Sequence, residues 1–326
     1  MNTHVLIDNT YRVISGLGAG GGGTVYKAWH TRLQKHVVIK EYKHGMVSDP
    51  AYRNEVEALK DIKNPYLPQV YDFITDSNST LTIMEYIEGK SFDNLLAQGQ
   101  RFIEADVIKW YSRIAVALEA LHARDVCHRD IKPANIMLTP SGEVCLIDFN
   151  AAIVGGCSAR FISRSLGYAS PEQYELYEKV EHSRGASKFK DDRDNNCVPH
   201  NFDNKTEFTE TSAIIDSIIF QPANPCPILP NPLRVKPSID WRLSDIYSLG
   251  AAMYHILTGK RPHERATEVI PVSKLGRYGA GLVRIIEKSM QPNPSGRYTS
   301  ATELAKAIDG IQNRNKVLSF LLTHRQ

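Results

Sequence analysis

The chain has 326 residues, 42% of them hydrophobic and 23% charged, which excludes global disorder and leaves apolar material for a sizeable core. Its 39 basic and 36 acidic side chains leave +3, with no run of five like charges, so binding to nucleic acid or membranes through bulk charge is excluded. The most apolar stretches, Ala213 to Phe220 and Val317 to Leu322, fall far short of the ~18 to 20 residues that span a bilayer.

Met1 to Thr10 has no basic region followed by an apolar core, so no signal peptide is expected. The expected location is the cytoplasm, either as a free protein or as the cytoplasmic part of a longer membrane protein. Five widely spaced cysteines without a C-x-x-C pair fit neither a disulfide framework nor a zinc knuckle, and free thiols are expected.

From Tyr11 to Met84, short β-type runs alternate with turn residues: Tyr11 to Leu17, Thr24 to His30, His36 to Glu41, Val70 to Thr75 and Leu81 to Met84. They predict an antiparallel sheet. Pro50 to Ile62 is helical by spacing, with Tyr52, Val56, Leu59 and Ile62 three and four apart. Beyond Gly89 the pattern is helical, in Ala105 to His122 with one apolar stripe and in Ser244 to Leu257, stopped by Thr258-Gly259. Residues 1–87 and 88–326 are therefore read as a small α+β lobe and a larger, mainly α lobe. An insertion is expected at about 176–238, dense in Lys, Asp and Asn and then in proline.

Gly18-Ala19-Gly20-Gly21-Gly22-Gly23-Thr24-Val25 lies between two predicted strands. Glycines let backbone N–H groups approach phosphate oxygens. The run also suits a flexible turn, and its position decides between the two. Fifteen residues after Val25, Val37-Val38-Ile39 ends in Lys40, an ammonium beside any phosphate held by the loop. A buried ammonium needs a partner, and Glu55 on the predicted helix is the natural one, with Glu57 the alternative. The richest block is His128-Arg129-Asp130-Ile131-Lys132-Pro133-Ala134-Asn135, followed thirteen residues later by Asp148-Phe149-Asn150. One aspartate near a substrate hydroxyl can accept its proton, while an Asn and a second Asp offer oxygen ligands suited to Mg2+.

Together these blocks resemble the eukaryotic-like (Hanks-type) serine/threonine protein kinases of bacteria, from Tyr11 to about Gly310 apart from the insertion. The resemblance implies a bilobal kinase fold, ATP and Mg2+ as cofactors, and phosphoryl transfer to Ser or Thr of protein substrates, with autophosphorylation. It implies that Gly18, Gly20, Gly23 and Val25 cover the phosphates, that Lys40 pairs with them and that Glu55 holds Lys40. Met84 resembles the gatekeeper, with the backbones of Glu85 and Ile87 meeting adenine. Asp130 is the implied catalytic base, Lys132 the γ-phosphate contact, and Asn135 and Asp148 the metal ligands. Gly167-Tyr168-Ala169-Ser170-Pro171-Glu172-Gln173 resembles the end of the activation segment, with Ser170 replacing an Ala and Glu172 expected to pair with Arg297. Asp245 of Ser244-Asp245-Ile246-Tyr247-Ser248-Leu249-Gly250 would hold the catalytic loop.

Two departures bear on rate. Asn150 stands at the D-F-G glycine, a position expected to need φ > 0, and Gly22 replaces the aromatic at the loop tip. They keep open a second reading, a weak or inactive pseudokinase acting as a nucleotide-binding scaffold. A small-molecule kinase of the aminoglycoside or choline type ranks below both, because it lacks the S-P-E segment. Arg129 suggests control by a phosphate on Ser158, Ser163 or Ser165, of which Ser165 is expected at Asp130 or Lys132 instead. Ile214, Ile215, Ile218, Ile219 and Phe220 make 213–220 an expected partner-docking strip.

Overall fold

In the computed structural model, residues 6–7, 9–20, 23–42, 53–75, 80–155, 164–183 and 239–323 are described. The first unit is a six-stranded antiparallel sheet of β1 (Leu6–Ile7), β2 (Tyr11–Gly20), β3 (Gly23–His30), β4 (Lys35–Tyr42), β5 (Val70–Thr75) and β6 (Thr80–Glu85), in the order β1-β2-β3-β4-β6-β5. The alternation of β4 sends Val37 and Ile39 into a core with Tyr11, Ala28, Leu81 and Ile83, so Val38 and Lys40 take the other face. Helix α1 (Arg53–Leu59) is shorter than its sequence pattern. The chain turns out of it at Asp61, whose φ of 60° no helix accommodates.

The second unit contains the strands β7 (Lys90–Ser91), β8 (Val126–Cys127), β9 (Ile136–Leu138), β10 (Val144–Leu146) and β11 (Ile153–Val154). Its helices are α2 (Phe92–Ala97), α3 (Glu104–His122), α4 (Pro171–Ser183), α5 (Trp241–Thr258), α6 (Ala280–Ser289) and α7 (Ala301–Thr323). The stripe read in α3 is the heart of this core: Val107, Tyr111, Ile114, Leu118 and Leu121 are all fully buried. Helix α5 is buried on nearly every side. It starts three residues earlier than its apolar run, because Asp240 caps it by accepting from the Arg242 N–H. It stops at Gly259, whose φ of 67° is the left-handed conformation glycine adopts without strain.

Helix α4 runs to Ser183, through the first residues of the expected insertion, and the docking strip at 213–220 lies outside the described residues. Cys127 and Cys145 are free, buried thiols. Among the described residues no helix is long and apolar enough to cross a membrane.

Candidate active site

Sheet register assembles the upper wall of the cleft. Gly18 pairs with Val25, Val25 with Lys40 and Lys40 with Thr82, one rung across four strands. Directly paired residues share a face, so the glycine hairpin and the ammonium come to the same side. Gly20 and Gly23 close that hairpin, while Gly21 and the tip residue Gly22 lie outside the described residues. Val38 pairs with Met84 on the same face, so Met84 also lies along this wall. The Glu85 N–H donates to the Gln69 carbonyl at 2.8 Å, and Ile87 follows, half-buried, in the irregular connection.

Lys40 Nζ lies 2.5 Å from Glu55 Oε1 and 3.3 Å from Asp148 Oδ1, so the partner is Glu55, while Glu57 faces solvent. Burial alone would lower the Lys40 pKa, but the two carboxylates outweigh it and hold the ammonium above its ordinary range. Glu55 is 2% exposed and also accepts from the Tyr42 hydroxyl at 3.2 Å and the Phe149 N–H at 3.3 Å. Tyr42 carries no motif signal in the sequence and is recognisable only by this contact.

The lower wall comes from the β9/β10 hairpin and the loop before it. Ile136 pairs with Leu146, and the Ile147 N–H donates to the Asn135 carbonyl at 2.9 Å, so the pairing itself sets Asn135 beside the strand end that carries Asp148. Asn135 Nδ2 donates to the Asp130 carbonyl at 2.8 Å and to Asp130 Oδ2 at 3.1 Å, turning its amide oxygen away from Asp130. A carboxylate and an amide oxygen are hard donors of the kind Mg2+ takes, so the residues present fit that ion. Lys132 Nζ lies 2.9 Å from Asp130 Oδ2 and 3.1 Å from Ser165 Oγ. Ser165 Oγ donates to Asp130 Oδ1 at 2.6 Å, where it was expected. Ser158 and Ser163 lie outside the described residues.

Asp245, fully buried in α5, accepts the backbone N–H groups of His128 at 2.9 Å and Arg129 at 2.7 Å and bonds His122 Nε2 at 3.0 Å. Glu172 meets Arg297 through two bonds, 2.6 and 2.9 Å, across 125 residues. Ser170, in place of the family's alanine, is explained by its partners: its hydroxyl bonds Ser244 Oγ at 2.8 Å, which donates to Gln173 Oε1 at 2.9 Å. Gln173 Nε2 in turn donates to the Arg129 carbonyl.

One expectation needs correction. Asn150 is not in the left-handed region; the positive φ of that motif, 67°, falls on Asp148, so no glycine is required at 150. Arg129 is 2% exposed, and its guanidinium lies 4.3 Å from the centre of the Trp241 ring.

Residues 11–185, more than half the chain, match the sequence signature of the protein kinase domain. The chain belongs to the protein kinase family. Relatives of this kinase domain include a probable serine/threonine-protein kinase of Clostridium acetobutylicum, 24% identical over 94% of this chain and 41% of the relative. A probable serine/threonine-protein kinase of Streptomyces coelicolor is 33% identical over 48% of this chain and 25% of its own length. The serine/threonine-protein kinase PknB of Mycobacterium tuberculosis is 24% identical over 96% of this chain and 44% of its own. The kinase domain described here thus spans less than half the length of these relatives.

Proposed function

We propose that this chain is an ATP-dependent protein serine/threonine kinase, autophosphorylation included, that works in the cytoplasm either free or as part of a longer membrane protein. The observation that carries this reading is Ser165 Oγ, a serine hydroxyl held 2.6 Å from Asp130 Oδ1 and 3.1 Å from Lys132 Nζ. An acceptor hydroxyl in that place meets a carboxylate able to take its proton and an ammonium able to meet incoming charge.

In this reading Gly18, Gly20, Gly23 and Val25 cover the phosphates of ATP, Lys40 pairs with them, and Glu55 holds Lys40 in position. Met84 borders adenine, whose edge meets the backbones of Glu85 and Ile87. Asn135 and Asp148 hold Mg2+, which when bound neutralises phosphate charge. The acceptor oxygen forms its bond to the terminal phosphorus as the bond to the ADP oxygen breaks, and the proton passes to Asp130. The ion set argues against the pseudokinase reading, since Lys40, Glu55, Asp130, Asn135 and Asp148 are all present and mutually placed.

The test is transfer from radiolabelled Mg-ATP to the chain itself and to a protein substrate, comparing the parent with Asp130→Asn and Asp148→Ala. Loss of transfer by about 10²-fold or more in both variants is expected. Retention of full activity in either would overturn the assignment of that residue.

A further inference from the structure

Helix α1 and strand β4 belong to different cores. The buried apolar residues Ala58 and Leu59 of α1 join the cluster of the second unit, whereas Val37 and Ile39 of β4 sit in the separate cluster of the sheet. The helix meets β4 through Glu55, a carboxylate 2% exposed, and hydrogen bonds fix how that carboxylate is turned. Lys40 takes its Oε1 at 2.5 Å, and the Phe149 N–H donates to the same oxygen at 3.3 Å. Neither engages Oε2. A carboxylate held by one oxygen still turns about its last torsion, whose wells are broad. The Tyr42 hydroxyl supplies the second hold, donating to Oε2 at 3.2 Å.

Sheet geometry brings the tyrosine there. Tyr42 lies two residues beyond Lys40 on β4 and so on the same face, and it pairs with Thr80 while Lys40 pairs with Thr82. Thr82 is thus the diagonal neighbour of Tyr42, within the reach of an aromatic side chain, and its Oγ1 lies 3.1 Å from the phenol oxygen. Thr82 is fully buried and Tyr42 nearly so. Burial, helped by the charge of Glu55, holds the Tyr42 pKa above its ordinary range, so the phenol keeps its one proton. That proton goes to Glu55, which leaves Thr82 as the donor to the phenol oxygen. The two hydroxyls form a relay from Thr82 through Tyr42 to Glu55, with each bond polarising the next.

We infer that Tyr42 is a positioning residue for phosphoryl transfer: with Thr82 behind it, its hydroxyl ties Oε2 of Glu55 and so keeps Oε1 turned to Lys40. The inference rests on the protein-kinase reading and goes beyond it, adding to the ion pair a third member that reads in the sequence only as a strand residue. Its hydroxyl bonds Glu55 and Thr82, so its effect on the rate runs through Lys40.

The experiment uses the full 326-residue chain and measures kcat and KM for Mg-ATP with myelin basic protein as acceptor, alongside the melting temperature. Tyr42→Phe keeps the ring and removes the hydroxyl, so kcat should fall roughly ten-fold, the scale of a hydrogen bond to a charged group, with KM for ATP within about two-fold of the parent. Thr82→Val removes the donor behind the phenol and should lower kcat about three-fold. In a Glu55→Ala background, itself slow, the hydroxyl has no carboxylate to hold, and Tyr42→Phe should cost nothing further. If the tyrosine served packing alone, Tyr42→Phe would match the parent's kcat whatever its melting temperature.

A kcat for Tyr42→Phe within about two-fold of the parent, or an equal fold loss with and without Glu55, would overturn the inference and leave the kinase reading intact. If Tyr42→Phe does not fold, Thr82→Val decides: a loss of about three-fold supports the inference, and an unchanged kcat overturns it. Complete absence of transfer from the parent would overturn the kinase reading and the inference with it.

Discussion

At Lys40 the geometry gives one ammonium two carboxylates, Glu55 at 2.5 Å and Asp148 at 3.3 Å, in a cleft that leaves its side chain 12% exposed. Replacing it by methionine keeps the stem and removes the charge, so phosphoryl transfer should fall by about 10² to 10³-fold, measured as kcat at saturating ATP. Ser170 offers a different kind of test. Its fully buried hydroxyl completes a chain from Ser244 through Gln173 to the Arg129 carbonyl, whereas alanine would leave Ser244 and Gln173 each short of one partner. Ser170→Ala should therefore cost about 1 to 3 kcal/mol, read from the urea midpoint at unchanged slope.

At the scale of an element, α5 is where the activation segment meets the core. His255 on its last turn takes the Tyr168 hydroxyl on Nδ1 at 2.6 Å, and Arg261 lies 5.2 Å from the Tyr168 ring. Burial, helped by the charge of Arg261, holds the His255 pKa down to about 4 against an ordinary 6.5. Between those values the unfolded chain binds a proton that the folded chain refuses, so stability rises with pH from 4 to 6.5 and is flat with respect to this group above that. Allowing for partial solvent screening, the loss on acidification is on the order of 2 kcal/mol. A melting-temperature series over this range should slope less steeply in His255→Gln, and equal slopes would refute the assignment. The helix α1 illustrates the same scale: its sequence pattern extends to Ile62, yet the left-handed backbone at Asp61 ends it, and Ile62 packs into the core from outside the helix.

Across the whole molecule, the Glu172–Arg297 pair ties α4 to the loop preceding α7. The Arg297 side chain is fully enclosed and also donates to the carbonyls of Gln291, Leu243 and Pro292. Removing the charge of a buried partner costs most when the other charge cannot reach water, so Glu172→Gln should destabilise the chain by about 3 kcal/mol, measured by urea unfolding. Lys40, Glu55 and Asp148 lie far from this pair in sequence, and Mg-ATP should still stabilise the variant against heat in proportion to its concentration.

Much of this protein was legible in its sequence for a physical reason. Binding phosphate, holding a hard cation and moving a hydroxyl proton demand particular side chains on particular strands and loops. Periods of two and of three to four residues say which stretches those are, and the family resemblance picks out Gly18, Lys40, Asp130, Asn135 and Asp148, of which the structure sets Gly18 on one rung with Lys40, Lys40 against Asp148 and Asn135 against Asp130. Tertiary structure decided what depends on neighbours distant in the chain. It chose Asp148 over Asn150 for the positive φ, gave Ser170 a buried partner 74 residues away and put an indole from the start of α5 over Arg129. Which ring an arginine packs against depends on residues distant in the chain, and no local pattern around residue 129 records that residue 241 lies beside its guanidinium.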